Sequence, residues 1–391
     1  MSAMNVPTTA RGAARAGDDA RSGRDHLIRY GGEFSDLLIE HAAGSWLTTE
    51  DGRRILDFTS GQMCATLGHG HPAILEAMRE ASGRVVHLFS GFLSRDVTEL
   101  ARELMAVLPE PLTRAMFLST GGEANEAALR LAKLHTGGHE VLAFAGSWHG
   151  MTAGAASSTY SAGRRGYGPG LPGTMVLPTP NPYRCPIDHC RDRCDLTCLN
   201  AGMALADAQS VGAPAAAIVE PILSAGGIVP LPDGYLSALK GRCEERGMLL
   251  VVDEAQTALG RVGTMFAFEQ HDVVPDFVAL SKTLGGGLPL SATITTDAIE
   301  QDAFDKGFLH VTSHVSDPLP AAVGRAVLRT VIADDLGRAP SRWGRACAPG
   351  WRTSSAATRS SATSAASASC SASTWSATGT PARRTPATAR R

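Results

Sequence analysis

A chain of 391 residues with 36 basic and 38 acidic side chains has room for a large buried core. Its formal net charge of −2 gives no reason to expect nucleic-acid binding or adhesion to an anionic membrane surface. No run of about 18 apolar residues occurs, so no transmembrane helix is expected, and a soluble, cytoplasmic protein with one large α/β domain and a smaller one is the expectation.

Residues 1–24, opening MSAMNVPTTARGAARAGDD, lack the apolar core of a signal peptide and read as a flexible leader. An N-terminal segment over 25–70 precedes the main body, taken as 71–320. There AMFL (115–118), VLAFA (141–145), AAAIVE (215–220), MLLVVDE (248–254) and DFVALS (276–281) are short apolar runs. Between several of them lie helical patterns such as ANEAALRLAKLH and YLSALKGRCEERG. Apolar strands alternating with helical crossovers predict a mainly parallel sheet covered on both faces. Ligands of such sheets bind at the carboxyl ends of the strands.

Three strand ends carry polar groups worth interrogating. MLLVVDE ends in Asp253 and Glu254, and DFVALSK ends in Ser281 and Lys282 before a run of three glycines. Of the four lysines, Lys133 and Lys240 sit in amphipathic helical patterns and Lys306 in the polar EQDAFDKG. Only Lys282 closes a strand-like run, where an ammonium without a partner is costly. In FLSTGGEANEAA, Ser119, Thr120, Gly121 and Gly122 form a turn into a helix, where small residues expose backbone N–H groups suited to a phosphate. A plain strand–helix turn would read the same way. That turn carries neither the GxGxxG pattern nor a P-loop GK[ST].

A lysine in a partly apolar site loses its proton readily and can form a Schiff base. Pyridoxal phosphate needs that lysine, an acid against its ring nitrogen and an anchor for its phosphate. Asp253, Lys282 and the 119–122 turn offer these, and Trp148 in AFAGSWHGMT could stack on the ring. Taken singly, Trp148 also reads as a core residue and Asp253 as a helix cap.

The insert PYRCPIDHCRDRCDLTCLN holds Cys185, Cys190, Cys194 and Cys198, half of the eight cysteines, spaced for zinc or an iron–sulfur cluster or simply forming a reduced loop. A helix-like segment, LPAAVGRAVLRTVIADDLG, leads through 321–338 towards a smaller domain. From 339 the character changes: residues 341–391 contain no Leu, Ile, Val, Met, Phe or acid, and eight arginines. Such a segment has little to bury against the cost of ordering it. A natural basic tail and an out-of-frame translation both produce it, and the abrupt change favours the second, which would leave the C-terminal small domain missing or scrambled.

With VVDEAQTALGR followed by Lys282, and with HLIRYGG, ILDFTSGQM, HLFSGFLSR, FLSTGGEANEAA, SWHGMT, EPILSAGG, SKTLGGGLPL and SHVSDPLPAAVG spread over 26–338, the sequence resembles the class III pyridoxal-phosphate aminotransferases, and within them the dialkylglycine decarboxylases. The resemblance implies fold type I, a homodimer or dimer of dimers, and an active site shared between subunits. It makes Lys282 the Schiff-base lysine, Asp253 the partner of the ring nitrogen, Gln256 the partner of the phenolic oxygen and Trp148 the stacking residue. Thr120, Gly121 and Gly122 would hold the phosphate with Ser313 of the neighbouring subunit. Gln62 matches the glutamine that contacts the departing carboxylate. Leu88, Ser90, Ser313, Val315 and Asp317 match a site for an alkali cation, potassium or sodium, whose hard character suits oxygen donors. The implied reaction is decarboxylation-coupled transamination of 2,2-dialkyl amino acids with a 2-keto acid such as pyruvate. An ordinary class III transaminase with an amine or omega-amino acid donor, and an inactive product that only binds cofactor, are the alternatives. Ala225 stands where a second serine is expected, Ala258 where a glycine is usual, and no arginine of 341–391 sits in a motif matching the family's carboxylate-binding arginine.

Overall fold

In this computed structural model residues 23–338 are described, apart from 163, 186 and 188–193; residues 1–22 of the leader, Cys190 and the low-complexity tail lie outside the described residues. The chain divides into two units at Asp57/Phe58. The first carries a small antiparallel sheet of β1 (Ile39–Ala43), β2 (Trp46–Thr49) and β3 (Arg54–Leu56).

The second unit is built on seven strands. They are β4 (Leu112–Leu118), β5 (Glu140–Phe144), β6 (Thr174–Leu177), β7 (Pro214–Val219), β10 (Leu249–Asp253), β11 (Phe277–Leu280) and β12 (Ser291–Thr296). A separate ribbon pairs β8 (Ile222–Leu223) with β9 (Val229–Pro230). Spatial order in the large sheet is β4-β12-β11-β10-β7-β5-β6. Every pairing from β11 to β6 is parallel, while β12 runs antiparallel to both neighbours. The expected mainly parallel sheet is present, with one reversed strand.

Both faces are covered, and alternation along each strand divides the core in two. On one face Val141, Ala143, Ala216, Ile218, Val251 and Phe277 pack with the helix α3, which spans Gly121–Thr136. On the other, Leu142, Phe144, Ala217, Val219, Leu250 and Val252 join the main cluster. Strands buried on both faces need no polar residues until they end, which explains why the sequence reads as continuous apolar runs. Each fully buried side chain such as Phe277 contributes about 1.5–3 kcal/mol through area removed from water.

Helix α3 begins on a capping box. The Thr120 hydroxyl accepts from Glu123 N at 3.3 Å, and the Glu123 carboxylate accepts from Thr120 N at 2.9 Å and from Ser119 N at 3.0 Å. It ends on Gly137 at φ 72, a left-handed position natural to glycine. Of the remaining helices, α1 (Pro72–Ser82) and α2 (Arg95–Met105) both pack against α8 (Pro318–Ala333). The others are α4 (Ala153–Ser157), α5 (Thr197–Gln209), α6 (Tyr235–Glu244) and α7 (Asp297–Asp305). No helix among the described residues is long and apolar enough to cross a membrane.

Candidate active site

Parallel pairing of β7, β10 and β11 brings three charged residues to one edge. Val219 lies opposite Val252 and Asp253 opposite Ala279, so Glu220, Asp253 and Lys282 follow one another across neighbouring strand ends. They line a cavity of about 430 Å³ together with Gln62, Trp148, Gly121, Gly122 and Gln256. Most of the expected site residues therefore converge. Thr120 does not line the cavity, its hydroxyl being committed to the cap of α3, and Ser313 is exposed away from it.

Asp253 is the fixed point. Its Oδ2 accepts from Asn125 Nδ2 at 2.7 Å and from His149 Nδ1 at 2.9 Å, and its Oδ1 accepts from Ala255 N at 3.0 Å. Asn125 also donates to the His149 carbonyl at 2.8 Å, which locks α3 to the loop carrying Trp148. Glu254, the next residue, points away from the cavity. Its Oε1 accepts from Phe268 N at 2.8 Å, Oε2 is bonded to the Thr257 hydroxyl, and burial lifts its carboxyl to about 7. Of the paired acids ending MLLVVDE, only Asp253 faces the site.

Lys282 sits at φ 44, a left-handed conformation that a branched or bulky side chain rarely adopts, at the start of a 3₁₀ turn over Lys282–Gly285. Burial pushes its amine below the ordinary lysine range, partly offset by the carboxylates of Asp253 and Glu220. The glycines that follow serve close approach. A Cβ on Gly286 would lie 2.7 Å from Ile74 Cδ1 of α1 and 2.8 Å from Val327 Cγ2 of α8. Arg261 ties this turn to the loop bearing Gln62: its Nη2 donates to Met63 O at 2.6 Å, to Thr66 Oγ1 at 2.7 Å and to Thr283 Oγ1 at 3.4 Å.

Glu220 is 6% exposed, and its carboxyl is pushed well above the usual range by burial first and by the Asp253 carboxylate second. Asn125, His149, Glu220 and Arg261 were not singled out from the sequence. Glu220 carried the same signal as Asp253, an acid closing an apolar run, and His149 adjoins Trp148. Nothing local marks Asn125 or Arg261.

The cysteines fall elsewhere. Cys185 and Cys198 are buried in the main core and Cys194 packs against it, close to the Tyr235 hydroxyl, whose ionisation is suppressed by burial and by those sulfurs. Of the expected cation donors, Asp317 is buried; Leu88 and Val315 are half-buried and Ser90 and Ser313 exposed. Both Asp317 oxygens are engaged by imidazoles, His87 Nδ1 at 2.5 Å and His314 Nδ1 at 2.6 Å.

Residues 30–353 match the family described as Aminotransferase class-III. The chain belongs to the class III aminotransferases. It is 54% identical over 311 residues to an uncharacterized aminotransferase of Schizosaccharomyces pombe, covering 79% of this chain and 69% of that one. It is 34% identical over 321 residues to the acetylornithine aminotransferase of Methanopyrus kandleri, covering 82% and 76%. An (S)-enantioselective omega-transaminase from Thermomicrobium roseum superposes with a TM-score of 0.76 at 28% identity, over 86% of this chain and 78% of that one.

Class III aminotransferases depend on pyridoxal phosphate, and the cavity fits it. Asn125 Oδ1, His149 Nε2 and Glu220 Oε2 are buried with no hydrogen-bond partner among the described residues, a set of orphaned polar atoms that a polar ligand would relieve. Gly121 and Gly122 allow close approach at the positive end of α3: a Cβ on Gly121 would meet Ser281 Cβ at 3.4 Å. The chain is a pyridoxal-phosphate-dependent aminotransferase.

Proposed function

We propose that this class III aminotransferase carries out decarboxylation-coupled transamination, taking a 2,2-dialkyl amino acid as donor and a 2-keto acid such as pyruvate as acceptor. The observation that carries this reading is the position of Gln62. A turn with Ser60 at φ 55, Gly61 at φ 62 and Met63 at φ 61 holds it in the cavity with Lys282 and Trp148. Left-handed backbone at the two non-glycine residues Ser60 and Met63 is costly, and such strain persists where surrounding structure fixes it for use. A neutral amide there can orient a carboxylate without neutralising it, which suits a group that must leave as carbon dioxide.

Bound pyridoxal phosphate supplies an electron sink for a bond breaking at the substrate α-carbon. Asp253, held by three donors and unable to turn away, would face the ring nitrogen and keep a proton on it. Gly121 and Gly122 would anchor the phosphate, Trp148 would cover one ring face and Gln256 would meet the phenolic oxygen. Lys282, its amine made more easily neutral by burial, would attach the cofactor and carry the proton between substrate and cofactor carbons. A second subunit is part of the reading: exposed Phe89, Phe92, Leu93, Leu309 and Val311 support an interface, and Ser313 would reach the partner's phosphate from there.

The test incubates the cofactor-loaded chain with 2-aminoisobutyrate and pyruvate and follows carbon dioxide and alanine together. Equal yields of both support the proposal. Alanine formed from a primary amine or omega-amino acid, with no carbon dioxide from 2-aminoisobutyrate, would replace it with ordinary transamination.

A further inference from the structure

We propose that Arg261 is a positioning residue that couples the turn carrying Gln62 to the turn carrying Lys282, so that the carboxylate grip and the proton shuttle are held in register by one side chain. The inference rests on the roles proposed above for Gln62 and Lys282. It adds a group that does not itself line the cavity.

The contacts converge on one nitrogen. Arg261 Nη2 donates to Met63 O at 2.6 Å and to Thr66 Oγ1 at 2.7 Å, both on the segment that follows Gln62. A longer, shared contact of 3.4 Å reaches Thr283 Oγ1, next to Lys282 in the chain. The two threonine hydroxyls bond each other at 2.8 Å, which closes a ring across segments 217 residues apart. Arg261 is 8% and Thr283 3% exposed, so little water competes for these groups.

The backbone is bent to deliver this guanidinium. Leu259 at φ 59 and Gly260 at φ 84 are consecutive left-handed residues immediately before it. Leu259 is buried and bulky, and that conformation is costly for such a residue. Burying a guanidinium is costly as well, and an apolar side chain of similar length would fill the space without that penalty. Both costs become intelligible from what the side chain holds. Met63, at φ 61, is gripped by its carbonyl, which fixes the strained Gln62 turn from behind. Lys282, at φ 44, is followed directly by the threonine that completes the ring. Two strained turns that could each relax alone thus share a single clamp. The cation also acts on the lysine at a distance. Burial lowers the proton affinity of the Lys282 amine most, the carboxylates of Asp253 and Glu220 oppose this, and the Arg261 charge adds a smaller push in the direction of burial.

The experiment uses the full chain loaded with pyridoxal phosphate and reads hydrogen exchange by mass spectrometry. Arg261→Met should speed exchange about tenfold over 60–66 and 282–287 together, because both segments lose hydrogen bonds to a charged group, while 121–136 in α3 keeps its wild-type rate. The double variant Thr66→Val with Thr283→Val keeps shape and removes two of the acceptors. It should give the same paired change at smaller size, and it decides the matter if Arg261→Met does not fold. The pH midpoint of the bound cofactor's absorption, which follows the Lys282 nitrogen, should rise in Arg261→Met and return towards wild type in Arg261→Lys, which keeps the charge. The proposal is overturned if exchange changes in neither segment, in one alone, or equally throughout α3, or if the midpoint is the same in the methionine and lysine variants. Neither measurement needs a substrate, so an absence of carbon dioxide from 2-aminoisobutyrate would remove the decarboxylation reading and leave this coupling standing.

Discussion

Replacing Glu254 with Gln should remove a loss of stability that this protein suffers as pH rises through neutrality. Glu254 is fully buried at the end of β10, and burial lifts its carboxyl from the ordinary 4.5 to about 7. A raised carboxyl means that the native state binds the proton more tightly than the unfolded chain does. Its contribution is therefore complete below about pH 4.5 and is lost as pH rises through about 7. At about 1.4 kcal/mol for each pH unit, the interval amounts to about 3 kcal/mol. Glutamine reproduces the protonated form: its carbonyl can accept from Phe268 N and its amide can donate to the Thr257 hydroxyl, the two partners Glu254 has now. Urea unfolding of the wild-type chain and Glu254→Gln at pH 5 and pH 8 measures the difference directly. Wild type should lose about 3 kcal/mol more than the variant between those conditions, other groups cancelling. An identical loss in both proteins would show that Glu254 is ionised in the fold, and that the Phe268 and Thr257 contacts outweigh its burial.

Borohydride reduction of the cofactor-loaded chain should place the adduct on Lys282; recovery of label on Lys133, Lys240 or Lys306 refutes the assignment. Asn125→Ala leaves Asp253 Oδ2 with His149 alone, and losing a hydrogen bond to a charged group, about 1.5–3 kcal/mol, should lower turnover roughly 10- to 100-fold with cofactor stoichiometry kept. Unchanged turnover would make Asn125 a packing residue only. Gly150→Ala should lower Tm and cofactor occupancy, because its Cβ would lie 2.5 Å from Gly122 Cα at a φ of 124, a strain of about 1–3 kcal/mol. Gly241→Ala, in α6 with nothing within 4 Å of the new methyl, should be neutral or stabilising by up to about 1 kcal/mol; equal destabilisation by both would count against the close-approach argument.

Much of this site was legible because charge is expensive in apolar surroundings. Lys282 and Asp253 stood out as ions at the ends of strands with no other polar residue, and the sheet's continuous apolar runs followed from burial on both faces. β12 was harder to see. Ser291, Thr293 and Thr295 give it a polar look, although all are buried and Thr293 satisfies its hydroxyl on the Ala124 carbonyl at 2.7 Å. Asn125 lay hidden for a related reason: on a helix of alanines an asparagine is unremarkable until the fold sets it 2.7 Å from a carboxylate 128 residues away. Arg261 likewise acquires meaning only when the Gln62 loop and the lysine turn meet around it. Groups whose role is to join distant segments leave no local pattern.

The reversal of β12 has a consequence for anyone redesigning the enzyme. Because that strand runs back beside β11, the chain from Ser281 to Leu290 turns around at the cavity without a crossover helix to absorb changes in length. Gly286 is wedged against Ile74 and Val327, and a Cβ on Gly285 would lie 3.3 Å from Leu290. Insertions, deletions or randomised codons in this stretch would shift the lysine itself and mostly yield dead clones. The opposite wall is a better target for directed evolution: Trp148 is partly exposed and Gln62 rides on a surface turn, so libraries there can reshape what enters the pocket while the lysine stays where the two helices hold it.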